Sequence, residues 1–304
     1  MKENQPLDGI LNINKAPGMT SHDVVARVRK LIKQKRVGHA GTLDPAATGV
    51  LPICIGQGTR VAEYLSESGK AYQAVITFGI VTDTYDGEGN VLRTTDASNL
   101  QLKQIAAVLP SFLGQQMQLP PSYSAIKLQG QPAYKRARAG EAIALEPRPI
   151  EIQQLQILDW QPPQLTLAIT CSKGTYIRSL AYDLGERLGY GAHLSSLVRT
   201  RSGPFTLAES ITLTQLAEAI EQDTWHSYIY PPDSALGQYL AIHLDAATSS
   251  RVLYGNAFHY NLAAIANLAR VYDATGRFIA IARWDPQHHI WQPAKVFMTE
   301  PDKC

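Results

Sequence analysis

Cysteine is scarce in this 304-residue chain: Cys54, Cys171 and Cys304 are too few and too scattered for a disulfide framework or a zinc site, and they suit a reducing compartment. Charge is scarce as well, at 18% of residues against roughly 25% in typical soluble proteins. Neither sign dominates: 28 Lys and Arg against 26 Asp and Glu leave a net charge of +2. That excludes a globally basic, histone-like nucleic-acid binder but leaves local patches open. No apolar run approaches the roughly 18 residues of a membrane span. Met1-Lys-Glu-Asn-Gln carries no apolar signal segment, so a soluble cytoplasmic protein is expected. Internal repeats and low-complexity tracts are also missing. What the chain does have is apolar material, 45% of its residues, enough for a sizeable core.

The Pro231-Pro232 pair follows an aromatic-rich stretch, Trp225 to Tyr230, and marks a domain boundary: residues 1–232 form the larger unit and 233–304 a small appendage. In the appendage Leu244 to Leu253 suits a helix with Asp245 near its start. Two β-rich runs around the Thr275-Gly276 turn signal a hairpin. The larger unit mixes helix and strand. Ser21 is placed to cap a helix whose apolar face holds Val24, Val25, Val28, Leu31 and Ile32. Alternation predicts strands over Tyr72–Phe78 and Leu165–Cys171, and Ile177, Leu180, Ala181, Leu184 and Leu188 predict a helix after Gly174. The pairs Pro120-Pro121 and Pro162-Pro163 bracket a segment read as containing an insertion, at about 118–150.

The most unusual stretch runs from Gly38 to Pro52, where three glycines and two prolines surround Asp44 and imply a loop of uncommon backbone shape. On spacing alone, Asp44 is an ordinary Asp-Pro turn residue bonding nearby backbone. An acid on a rigid loop beside the apolar run Val50–Ile55 is equally a favourable place for a reactive group. A carboxylate working in a water-poor pocket needs a neighbouring cation to stay ionised. Arg178, at the start of its helix and off the apolar stripe, is a candidate, although pattern alone makes it a solvated boundary residue. Tyr72 reads as strand packing, Lys15 and Lys70 as surface lysines, and His39 as a loop histidine. Seven bases against two acids between Lys15 and Asp44 make the first helix a basic ridge, with Arg27, Lys30 and Lys33 opposite its apolar face. Lys127, Lys135, Arg136 and Arg138 interleave with Tyr123 and Tyr134, a mixture that suits phosphates and unstacked bases. Gly56-x-Gly58 is a weak phosphate-loop signal, since no Gly-Lys-Ser/Thr follows.

Six segments in order resemble motifs of one family, the TruB tRNA pseudouridine synthases. Gly38-His-Ala-Gly-Thr-Leu-Asp-Pro-Ala-Ala-Thr-Gly-Val-Leu-Pro is similar to its catalytic aspartate motif, and Lys15-Ala-Pro-Gly-Met-Thr-Ser to its N-terminal motif. Lys70-Ala-Tyr resembles its tyrosine strand. The stretch from Pro120 to Gly140 resembles its RNA-gripping insertion. Cys171-Ser-Lys-Gly-Thr-Tyr-Ile-Arg resembles its arginine motif, and Leu197-Val-Arg-Thr-Arg-Ser-Gly-Pro-Phe its closing segment. Ala46 stands where a leucine is usual, a difference expected to alter packing only.

The resemblance implies an α+β fold: a mixed, mainly antiparallel sheet with flanking helices and an RNA-gripping insertion, plus a small β-rich PUA-like C-terminal domain. It implies isomerisation of uridine 55 in the tRNA T-loop to pseudouridine after the base is flipped out. Asp44 would act at the ribose, Arg178 would keep it charged, and Tyr72 would stack on the uracil and serve as base for the C5 proton. Leu197 would line the pocket, His39 would fill the space the base vacates, and Lys15 and Lys70 would support the site. Arg27, Lys30, Lys33, Lys127 and Arg136 would grip the tRNA backbone. No metal, organic cofactor, membrane or protein partner is implied, and the protein would act as a monomer. Two rival readings are a non-catalytic RNA-binding module on the same scaffold and a guide-dependent enzyme of the archaeal and eukaryotic branch.

Overall fold

A computed structural model describes residues 7–124, 145–260 and 267–297 together with Arg136, and gives 127–128 and 131–132 by backbone alone. The chain opens with strand β1 (Gly9–Lys15), helix α1 (Ser21–Ile32), a short β2 (Val37–His39) and the apolar β3 (Thr48–Ile55). After helix α2 (Ala62–Glu67) come β4 (Lys70–Phe78), the hairpin β5 (Ile80–Thr82) and β6 (Val91–Thr94), helix α3 (Leu102–Val108) and β7 (Gly114–Gln118). The short pair β8 (Lys127–Leu128) and β9 (Gln131–Pro132) precedes β10 (Arg148–Gln161), β11 (Gln164–Cys171), α4 (Ile177–Leu188) and β12 (Ala192–Ser202). Next come β13 (Phe205–Thr206), α5 (Leu213–Glu221) and β14 (Ile229–Tyr230). A second set closes the chain: β15 (Leu240–His243), α6 (Ala246–Leu253), β16 (Leu268–Tyr272), β17 (Phe278–Asp285) and β18 (Ile290–Val296).

The large sheet runs β14-β1-β3-β12-β4-β11-β10-β7, with β2 beside β3 and β13 beside β12. Every pairing in it is antiparallel except β3 with β12. Along β4 the burial alternates as the sequence predicts: Tyr72, Ala74, Ile76 and Phe78 point inward and Gln73 outward. β3 is buried along nearly its whole length, as its apolar run requires. The second sheet, β15-β16-β17-β18, carries its own core around Ile242, Val252, Val271 and Trp291. This is the expected α+β architecture with a β-rich C-terminal region.

Several local expectations change. Thr20, not Ser21, caps α1: its hydroxyl accepts from the Asp23 amide while the Asp23 carboxylate accepts from the Thr20 amide, a reciprocal capping box. Ser21 is instead buried, accepting from the Leu43 amide at 2.9 Å and contacting the Leu43 carbonyl at 3.2 Å. Lys33 lies past the helix as its left-handed C-cap, with φ of 55°. Pro162-Pro163 forms the hairpin turn between β10 and β11, and β10 is a strand of the main sheet, so only the earlier part of the bracketed segment is left for an insertion. Asp245 does cap α6, accepting from the Thr248 amide at 2.7 Å. Gly56-x-Gly58 packs against β1, and the Gln57 amide donates to the Asp8 carboxylate, so this turn is already occupied by the protein's own acid.

Candidate active site

Asp44 lies in the loop between β2 and β3, where the chain enters an interior strand of the large sheet. The loop is held from several sides by buried polar groups. Ser21 pins Leu43. The Lys15 ammonium, fully buried at the end of β1, donates to the carbonyls of Ala16, Met19 and Pro45 at 2.8–3.0 Å. Lys15 is therefore no surface lysine. Burial lowers its pKa to about 8, against the upward pull of Asp44. Ala46 is exposed, so the change from the family's usual leucine takes nothing from the core.

The Asp44 carboxylate does not turn back onto its own loop. It faces Arg178 in a two-point contact, Oδ2 at 3.0 Å from Nε and Oδ1 at 3.3 Å from Nη2. Arg178 is buried, contrary to the boundary position its helical phase suggests, because partners from three distant segments meet it there. Nη2 donates to the Tyr123 carbonyl at 2.9 Å, and Nη1 lies 3.4 Å from both the Thr84 carbonyl and Asp86 Oδ2. One guanidinium thus sits between two carboxylates. Desolvation pushes the Asp44 pKa up, Arg178 and Lys15 pull it down, Asp86 adds to the upward push, and the net direction is up. With its side chain 44% exposed, Asp44 is the open member of an otherwise enclosed group.

Tyr72 lies on β4, 8% exposed, level with Ile169 on one neighbouring strand and Arg199 on the other. Burial raises its phenol pKa, while the charge of Arg199 acts in the opposite sense. Leu197, opposite Ala74, is half-buried against the main core. Lys70 is buried too: its ammonium donates to Ser66 and Ser68 carbonyls, and burial followed by Arg199 lowers its pKa to about 8. His39 packs edge-on against His22 at 5.2 Å, with Nδ1 buried and without a partner. Burial, then the charges of His22 and Arg199, lower its pKa to about 4, so it is neutral at pH 7.

Arg27, Lys30 and Lys33 are exposed along and just beyond α1, while Arg136 is half-buried. The side chain of Lys127, and Tyr134, Lys135, Arg138 and Cys304, lie outside the described residues. Sequence reasoning passed over two members of the cluster. Asp86 looks like any acid in a Gly-rich turn, and one of its oxygens does bond its own turn. Arg199 carried one readable signal: a charged side chain two residues from Leu197 in a β-strand.

Residues 29–177 match the N-terminal domain of the TruB family pseudouridylate synthases, and residues 178–237 match the C-terminal domain of tRNA pseudouridylate synthase B. The chain belongs to the TruB family. It is 49% identical to tRNA pseudouridine synthase B of Symbiobacterium thermophilum, over 83% of either chain. It is 41% identical to the protein of that name from Dehalococcoides mccartyi, over 96% of this chain and 97% of the relative. Among solved structures, an H/ACA ribonucleoprotein bound to a substrate RNA containing 2'-deoxyuridine aligns with a TM-score of 0.75 at 25% identity, covering 96% of this chain and 85% of that one. A Cbf5-Nop10-Gar1 complex aligns at 0.74 and 27% identity, covering 95% and 85%.

Proposed function

We propose that this TruB-family chain isomerises uridine 55 in the T-loop of tRNA to pseudouridine, acting alone as a monomer on the T-arm. The observation that carries the reading is the two-point pairing of a half-exposed Asp44 with a buried Arg178 at the family's aspartate and arginine motifs. The reaction cuts uracil from C1′, turns it and rejoins it through C5. The base must first leave the T-loop, at a cost of a few kcal/mol of unstacking. Asp44 acts at the ribose, either on C1′ or on the C2′ proton, and in both routes it must be ionised. Arg178 holds it so against burial and against Asp86. Tyr72 stacks on the uracil and its hydroxyl is the base for the C5 proton, with Leu197 as the pocket wall. His39, uncharged, fills the space the base leaves. Lys15 spends its donors on loop carbonyls and Lys70 on carbonyls at the end of α2, and both keep the pocket in shape. Arg27, Lys30 and Lys33 meet backbone phosphates together with Lys127 and Arg136.

The test is tritium release from 5-tritiated uridine in transcript tRNA. Wild-type protein releases it and Asp44→Asn does not; full release by the variant would remove Asp44 from the chemistry. A second reading, the guide-dependent enzyme, is favoured by the likeness to H/ACA ribonucleoproteins. The far higher identity to bacterial tRNA pseudouridine synthase B favours the stand-alone reading, and activity on bare tRNA decides between them.

A further inference from the structure

Arg199 is 1% exposed, and its hydrogen-bond partners are three main-chain carbonyls rather than a carboxylate. A buried guanidinium without a counter-ion is costly, so what it holds matters. Nε donates to the Val50 carbonyl at 2.7 Å, Nη1 to Thr42 at 3.3 Å and Nη2 to Gly41 at 3.1 Å. Gly41 and Thr42 precede Asp44 and Val50 follows it, so one planar group clamps both arms of the acid-bearing loop. The backbone makes room for this: a Cβ on Gly49 would fall 2.3 Å from the Arg199 carbonyl oxygen. On its other side Arg199 stands directly across the β12–β4 ladder from Tyr72, close enough for its charge to favour the ionised phenol.

We propose that Arg199 is a positioning residue for the isomerisation: its guanidinium holds the Asp44 loop in a rigid frame beside Tyr72 and supplies the opposite charge when the Tyr72 hydroxyl gives up its proton. The inference rests on the reading that Asp44 and Tyr72 act on a flipped uridine. Pseudouridine carries a hydrogen on N1 and has lost one from C5. These two atoms exchange places as the uracil turns, so one hydroxyl meets both in succession. A phenol that gives its proton to N1 and, as phenolate, takes one from C5 ends neutral, and the balance closes without an outside acid or base. During the interval the phenolate has Arg199 beside it.

The test places 3-fluorotyrosine at position 72 and follows its titration by fluorine NMR in the otherwise wild-type protein, in Arg199→Gln and in Arg199→Lys. Removing the charge in Arg199→Gln moves the titration up by about one pH unit or more, and the Lys variant holds it near the wild-type value. Single-turnover tritium release, measured without the fluorine label, falls by roughly tenfold or more in both variants because a lysine cannot clamp both loop arms. Affinity for tRNA stays at the wild-type level. An unchanged titration in Arg199→Gln, or wild-type turnover in Arg199→Lys, overturns the proposal, and the Lys variant carries the test if the Gln variant does not fold. The fluorine signal needs no turnover, so it separates failure of this inference from failure of the proposed activity.

Discussion

Asp44 carries a conflict that its neighbours only partly resolve. Its folded pKa lies above the ordinary 3.8, so the native state binds this proton more tightly than the unfolded chain does, and ionising it by pH 7 costs stability. That stability is fully present below the unfolded pKa and is lost as pH rises through the folded one. Asp44→Asn is therefore expected to melt above wild type at pH 7, with the gap closing as pH falls toward 3.8, as differential scanning calorimetry across pH would show. The wild-type single-turnover rate should fall on the acid side with a midpoint above 3.8, since the proposed mechanism uses the ionised form. At this scale the sequence was least informative. Spacing made Lys15 a surface lysine and Arg178 a wet helix face, and both are buried. Their burial depends on the carbonyls of Pro45 and Tyr123, 30 and 55 residues away, and on Asp86, 92 residues away, which no local window contains. The family's motifs pointed to both residues as parts of the site where periodicity could not.

Among the elements, α1 shows two adjacent hydroxyls doing different things. Thr20 only caps the helix, so Thr20→Ala should cost about 1 kcal/mol in urea unfolding and leave turnover unchanged. Ser21 ties the helix to the Asp44 loop at Leu43, so Ser21→Ala should cost a similar ~1 kcal/mol and also slow single-turnover release. Equal turnover in the two variants would disconnect the helix from the loop. The outer face of α1 gives another prediction. Losing one phosphate contact through Arg27→Ala or Lys30→Ala should shallow the salt dependence of tRNA binding by about one unit of slope, with the chemical step untouched. Elements were legible where one face is dry: β4, β11 and α4 follow the inward alternation or helical period of their apolar residues. β10 was not read as a strand of the main sheet, because nearly all of its side chains are exposed or half-buried and its Gln-rich pattern has no inward phase. The Thr20 cap was missed because its neighbour is an equally good capping residue.

Across the whole molecule, the second sheet is fastened to the first unit rather than left on a tether. Arg60 donates to the Val296 carbonyl and lies over the Phe297 ring at 5.1 Å. Lys295 donates to the Arg60 carbonyl at 2.7 Å, pairs with Glu63 and lies 5.3 Å over the Tyr64 ring. Phe297 and Ile281 join Ile10, Val50 and Leu65 in one apolar cluster. Phe297→Ala should remove about 3 kcal/mol from this junction, and calorimetry should then resolve two transitions where wild type shows one. The Pro-Pro pair reads as a boundary in the sequence, while the fastening is hidden there because Arg60 and Phe297 are ordinary residues until the chain brings them together.

The pairing of β3 with β12 also bears on the order in which the protein comes off the ribosome. Arg199 reaches the Val50 carbonyl across 149 residues of chain. A nascent polypeptide stalled anywhere between them already displays its acid yet lacks the brace for it. The loop and its clamp therefore come together only once translation has passed β12, so the frame proposed for the acid is a late product of synthesis.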